Sequence, residues 1–183
     1  MRSYRFLPVV LLLVLVISAT AAAYQEAPTL AAKVAKGELP PVEERLPENP
    51  LVIEPIEEVG TYGGLIRMAH RGPSDATGYY RTVREPLVNY NPSLTQIQPN
   101  LAERWEVSED GTTITYYLRK GLKWSDGHPF TTEDVLFWWE VQNTPEIVPT
   151  IPGAFVRDGV PCEVIAIDEY TVVFKFPVPA AAH

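Results

Sequence analysis

Between Ile114 and Leu118 the chain alternates, with Ile114, Tyr116 and Leu118 set against Thr115 and Tyr117. A period of two predicts a strand with one buried face and one wetter face. Trp105 and Val107 are also β-formers, and Ser108-Glu109-Asp110-Gly111 stands between the two runs. Asp-Gly in that place predicts a hairpin, because glycine takes the positive φ that the turn needs. Arg119-Lys120-Gly121 ends the strand, Lys123-Trp124-Ser125 is a short extended piece, and Asp126-Gly127 turns again. The pattern then changes period. Thr131 is a helix N-cap whose hydroxyl is expected to accept from the Asp134 N–H. Phe130 and Val135 occupy staple positions, and Glu133 and Asp134 place negative charge at the positive end of the helix dipole. The spacing predicts a helix from Thr132 to about Asn143, ending before Pro145. Val135, Leu136, Phe137, Trp138, Trp139 and Val141 spread around it, which predicts burial on more than one side. A second hairpin is predicted from 164–167 and 170–176, with Val172, Phe174 and Phe176 on its buried face.

Upstream, Arg2 and Arg5 precede an apolar run over 7–17, shorter than the roughly 20 residues of a membrane span. Ala19-Thr20-Ala21 and Ala21-Ala22-Ala23 are small-residue cleavage sites. Residues 1–23 therefore read as a signal peptide, with an uncleaved anchor as the competing reading. Residues 24–59 form a Pro/Glu-rich lead-in. A short helix is expected over 29–36, capped by Gly37. Pro40, Pro41, Pro47, Pro50 and Pro55 then favour extended chain, either a strap across the folded domain or a tether. Gly60-Thr61-Tyr62-Gly63-Gly64 lacks the order of a phosphate loop and feeds a strand expected over 65–69. In open α/β sheets ligands sit beyond the carboxyl ends of strands, which here points to loop 70–80. Asp75, Tyr79 and Tyr80 are its candidate ligand-binding residues; the competing reading is a solvated loop whose tyrosines pack on the surface. A short helix or strand over 83–90 is expected to carry Leu87 and Val88 to the core, and 143–157 reads as a Pro-rich loop.

The run Pro99, Leu101-Ala102-Glu103, Trp105, Asp110-Gly111, Leu118-Arg119, Gly121, Lys123-Trp124-Ser125-Asp126-Gly127, Pro129-Phe130-Thr131 and Glu133-Asp134-Val135 resembles the signature region of family 5 extracellular solute-binding proteins, the peptide- and nickel-type receptors of ABC importers. Gly63-Gly64-Leu65-Ile66-Arg67-Met68-Ala69 looks like that family's first strand, and Glu85-Pro86-Leu87-Val88 like the segment leading to the signature. The likeness covers about 60–176. It implies an α/β, periplasmic-binding-protein-like fold (type II, two-lobed), with 60–183 holding only the amino-terminal part of one lobe plus an accessory subdomain. The resembled family continues well past His183, so an amino-terminal fragment is expected. The resemblance also implies a monomer at full length, exported to the periplasm or the outer face of the cytoplasmic membrane, that binds a small-molecule or peptide solute, most readily a peptide. Its partner would be the membrane permease of an ABC importer. It places loop 70–80 at the mouth of the cleft and adds Phe155, in the Pro-rich loop, as an aromatic candidate.

Composition narrows the chemistry further. Acids outnumber bases 23 to 15, for a net charge of −8, which argues against a nucleic-acid partner. The single cysteine, Cys162, excludes an internal disulfide and a multi-cysteine zinc site. His70, His128 and His183 make no metal-binding spacing, no Gly-x-Ser-x-Gly elbow is present, and Cys162 has no nearby base. No catalytic residue, metal ligand or cofactor is therefore expected. His70 follows the first strand and could approach a ligand. Asp126, Glu133 and Asp134 are accounted for by turn and cap positions. Trp124, Trp138 and Trp139 read as core rather than as a sugar platform. The competing functions are an exported glycan-acting enzyme and a ligand-free structural module of the envelope.

Overall fold

A computed structural model describes residues 24–72 and 77–180. The signal segment lies outside them. No helix among the described residues is long and apolar enough to cross a membrane. The lead-in holds helices α1 (Pro28–Ala35) and α2 (Val42–Arg45), and α3 (Thr77–Val83) follows the loop after residue 69. A two-stranded ribbon, β1 (Val88–Tyr90) with β2 (Ile97–Pro99), precedes the main sheet. That sheet has the order β3-β4-β8-β7: β3 (Ala102–Val107), β4 (Thr113–Leu118), β8 (Thr171–Lys175) and β7 (Glu163–Asp168). Every pairing in it is antiparallel. Helix α4 (Thr132–Gln142) and a short ribbon, β5 (Val156–Arg157) with β6 (Val160–Pro161), separate the two hairpins in sequence.

Both predicted hairpins form, and their turns explain why. Gly111 sits at φ 70°. The Asp110 carboxylate accepts from the Ser108 hydroxyl (2.6 Å), the Thr112 N–H (3.0 Å) and the Thr112 hydroxyl (2.8 Å). Those donors favour the ionised form and hold the Asp110 pKa below the ordinary carboxylate range. In the second hairpin Asp168 does the same for the Tyr170 N–H and the Thr171 hydroxyl. The predicted cap is also present, one residue shifted in its partner. The Thr131 hydroxyl accepts from the Glu133 N–H at 3.3 Å, and the Asp134 carboxylate accepts from the Thr131 N–H at 2.8 Å.

Register places Ile114, Tyr116, Val172, Phe174, Val164 and Ala166 on one sheet face. Helix α4 packs over the β7–β8 half of it. Val135, Cys162, Val172 and Phe174 form the buried centre, bordered by Tyr116, Phe130, Trp138, Trp139 and Phe155. Burying a side chain of this size is worth about 1.5–3 kcal/mol. The helix is less enclosed than its composition predicts. Only Thr132 and Val135 are buried, and Phe137 is 66% exposed. A single layer of sheet beneath α4 can cover one side of it and no more.

The expected strand over 65–69 does not form. Leu65 and Ile66 are 76% and 79% exposed, and no described strand pairs with them. A run of β-formers becomes a strand only when a neighbour accepts its backbone hydrogen bonds. The lead-in, in contrast, is part strap. The Lys123 ammonium donates to the Glu44 carbonyl, and the Glu48 N–H donates to the Lys120 carbonyl at 2.9 Å. Arg119, only 6% exposed, donates from Nη1 to the Asn49 carbonyl and from Nε to the Asn100 carbonyl, each at 2.7 Å. Gly121 lies directly beneath this strap at φ +78°, and a Cβ there would sit 3.4 Å from the Glu48 nitrogen and 3.5 Å from Pro47 Cα. Beyond Asn49 the lead-in runs exposed through residue 59.

Two expectations follow. Gly121→Ala forces an L-residue into the left-handed region against the strap and should lower stability by about 1–2 kcal/mol. Urea titration would show a lower midpoint at unchanged slope, and an unchanged midpoint would refute the strap's dependence on this glycine. Burial pushes the Cys162 thiol up to about 11. Its native form therefore keeps a proton that the unfolded chain releases from about pH 8.5. This contribution to stability is complete below that pH and is lost as the pH rises towards about 11. Labelling with a thiol reagent at pH 8 should run about two orders of magnitude slower in native than in urea-unfolded protein. Equal rates would contradict the buried placement.

Candidate functional site

An apolar-walled cavity of about 1060 Å³ opens beside the core. Its floor is the β4 side of the sheet face, with Ile114 and Tyr116, continued by Phe174 and Phe176 at the edge of the core. One wall is the first half of α4 with the turn before it, through Trp124, Phe130, Val135 and Trp138. The opposite wall is the chain from Val83 to Leu87 with Leu101, and Ala154, Phe155 and Arg157 close one end. The size is at the upper limit for small-molecule sites, which run to about 1,000 Å³.

The wall is ordered by aromatic contacts. Tyr116 meets Phe174 edge-on at 5.7 Å, and Trp138 meets Phe155 at 5.0 Å. Phe155 also lies 5.8 Å from Trp139 and 6.1 Å from Phe174. At the rim Trp124 stands edge-on to Phe130 at 5.2 Å.

The charged groups of the wall are held by the protein itself. Asp134 accepts from the Trp124 indole N–H at 3.0 Å through one oxygen and caps α4 with the other. Glu85 accepts from the Asn100 amide at 2.8 Å. Arg157 donates to the carbonyls of Gly153, Ala154 and Val156, and its guanidinium lies 5.4 Å from the Phe176 ring centre. Lys123 is tied to the lead-in strap. Two hydroxyls, those of Tyr116 and Ser125, have no hydrogen-bond partner among the described residues. Burial raises the Tyr116 phenol pKa, so it stays protonated and able to donate.

Of the four candidates from sequence, Phe155 lines the cavity, in a 3₁₀ turn, Gly153–Phe155. It is as much a packing residue as a wall. Tyr79 and Tyr80 fall on α3, which ends at Val83 on the rim. Tyr80 is exposed and carries the Arg84 guanidinium 4.1 Å over its ring. Asp75 lies outside the described residues. The switch-point argument for loop 70–80 assumed a strand over 65–69 that is absent here. His70 is exposed and hydrogen-bonded through Nδ1 to the Gly72 carbonyl at 2.9 Å. His128 is exposed in its turn. Of the tryptophans expected in the core, Trp138 and Trp139 border it, whereas Trp124 is half exposed at the cavity mouth. Tyr116, which lines the cavity, was not among the candidates from sequence. Its place on the buried face of a strand was legible; that α4 would stop short of it was not.

With this geometry in view, comparison with known proteins is informative. Residues 96–182 match the profile of bacterial extracellular solute-binding proteins, family 5 Middle. The chain is 33% identical to the periplasmic alpha-galactoside-binding protein of Rhizobium meliloti (strain 1021), over 84% of this chain and 25% of that protein. It is 38% identical to the dipeptide-binding protein of Escherichia coli (strain K12), over 52% of this chain and 20% of that one. Among solved structures, the oligopeptide-binding protein OppA superposes with a TM-score of 0.77 at 41% identity, covering 85% of this chain and 24% of its own. The periplasmic binding protein MelB from Agrobacterium fabrum C58, in complex with stachyose, gives 0.72 at 35% identity, covering 87% and 27%. The chain thus spans about a quarter of the length of the relatives it matches. Residues 96–182 belong to the family 5 extracellular solute-binding proteins, and the chain carries part of their two-lobed periplasmic-binding fold.

Proposed function

We infer that the protein is an exported receptor that captures a small solute, a peptide, and delivers it to the membrane permease of an ABC importer. The observation that carries this reading is the aromatic cavity of about 1060 Å³ between the open sheet face, α4 and the Val83–Leu87 segment. It is concave and mostly apolar, as small-molecule sites are. Family membership over 96–182 supports a receptor over a catalyst. The dipeptide- and oligopeptide-binding relatives support a peptide as the solute.

Capture between two lobes works by differential contact. A solute that touches both lobes stabilises the closed state by more than closure costs, and the permease then meets the closed form. On this reading Phe155 belongs to one wall of such a cleft, and Asp75, with Tyr79 and Tyr80 on α3, contacts the solute. Export through residues 1–23 would place the receptor in the periplasm or on the outer face of the cytoplasmic membrane. An α-galactoside is the second reading, because the alpha-galactoside-binding relative is matched over 84% of this chain.

A thermal-shift screen of the full encoded protein against peptides, α-galactosides and metal chelates separates these readings. Peptides at about 100 times Kd should stabilise the fold by about 2.7 kcal/mol, with no product formed. Stabilisation by galactosides alone would transfer the assignment to the second reading. Product formation, or silence across the whole panel, would overturn the receptor.

A further inference from the structure

Among the described residues, one buried side-chain polar atom is left without a hydrogen-bond partner: Oε1 of Glu26. Buried carboxylate oxygens are costly without a donor, so this atom calls for one. The other oxygen, Oε2, accepts from Arg45 Nη2, and Arg45 Nε donates to the Pro40 carbonyl at 3.1 Å. Arg45 ends α2, in the lead-in that is strapped to the sheet through Glu44, Glu48 and Asn49. Glu26 thus ties the start of the described chain to the strap with one oxygen and keeps the second enclosed and unpaired.

The two small-residue cleavage sites, Ala19-Thr20-Ala21 and Ala21-Ala22-Ala23, lie just upstream. A cut at either turns a neutral peptide N–H into an ammonium, a cation with three donors. The position of Glu26 distinguishes the two. Tyr24 and Glu26 are half-buried with exposed Gln25 between them, the alternation of extended chain, which sets both on one side. Two extended residues span about 7 Å, a gap that a glutamate side chain closes by reaching back, whereas an ammonium on Ala22 lies up to about 14 Å along the chain.

Resting on the reading of residues 1–23 as an export signal, we propose that the signal is cut between Ala23 and Tyr24 and that the new α-ammonium of Tyr24 pairs with Oε1 of Glu26, latching the lead-in once the signal is gone. Water is consumed at the Ala23–Tyr24 peptide bond: its oxygen ends on the Ala23 carboxylate and both its protons on the Tyr24 nitrogen. The cut is made by an endopeptidase that accepts small residues at the first and third positions before the bond. The Glu26 carboxylate then bridges two cations, the terminal ammonium and Arg45, and both of its oxygens are satisfied. Before the cut the same nitrogen is an uncharged amide, and Arg45 alone holds Glu26.

The test uses the full encoded protein prepared with three starts: Tyr24 with a free amine, Tyr24 acetylated, and Ala22 with a free amine. Hydrogen exchange over 26–49, read by mass spectrometry, should be about tenfold slower for the free-amine Tyr24 start than for the other two, and Glu26→Gln should erase that difference. Exchange over 102–118, in the sheet, should be the same in all of them and reports that each is folded. Equal exchange over 26–49 for the three starts, or a difference that survives Glu26→Gln, would overturn the latch. The amino-terminal mass of the protein exported from a bacterial host should correspond to a start at Tyr24. A start at Ala22 would overturn the assigned cut and leave the export reading in place, whereas retention of residues 1–23 would overturn both.

Discussion

One helix cannot cover a four-stranded sheet. Strands lie about 4.8 Å apart, so the sheet face is wider than the 10–12 Å of a single helix with its side chains. Helix α4, held at its start by the Thr131–Asp134 cap, lies over β7 and β8 and stops there. The covered half makes the core of Val135, Cys162, Val172 and Phe174. The uncovered half, next to β4, becomes the floor of the cavity, and Tyr116 straddles the two.

The cavity is shaped from the other side by chain that contributes little to the core. Residues 83–87 hang from the start of β3 by the Leu101 and Ala102 N–H groups, which donate to the Pro86 and Leu87 carbonyls. The lead-in strap is anchored a few residues away, through Arg119. The Arg119 guanidinium is buried against carbonyl oxygens, the negative ends of peptide dipoles. It joins three separate stretches: the lead-in at Asn49, the approach to β3 at Asn100, and β4 itself. The apolar wall therefore rests on a polar joint.

How much of this was legible in the sequence depends on the range of the interaction concerned. Asp110-Gly111, Thr131 and Asp134 act on neighbours within three residues, and their turn and cap are where the pattern puts them. Period two over 113–118 and 171–175 identified the inward faces. What the pattern missed requires a partner distant in the chain. Leu65-Ile66 reads as a strand but has none to pair with, and α4 reads as enclosed but meets one sheet on one side. The cavity lining divides in the same way. Phe155 was a candidate through family likeness, whereas the place of Tyr116 in the lining depends on the width of a sheet relative to one helix, a length that no local motif encodes.

The exposed ribbon from Leu51 to Met68 has a consequence for solubility. It presents Val52, Ile53, Ile56, Val59, Leu65 and Ile66 to water outside any described strand or helix, and exposed apolar chain of this kind invites association. Pro50 and Pro55 remove donors from it, and Glu54, Glu57 and Glu58 repel a like copy. That repulsion is electrostatic, so salt screens it. The same three glutamates that keep molecules apart in dilute buffer thus make self-association a matter of ionic strength.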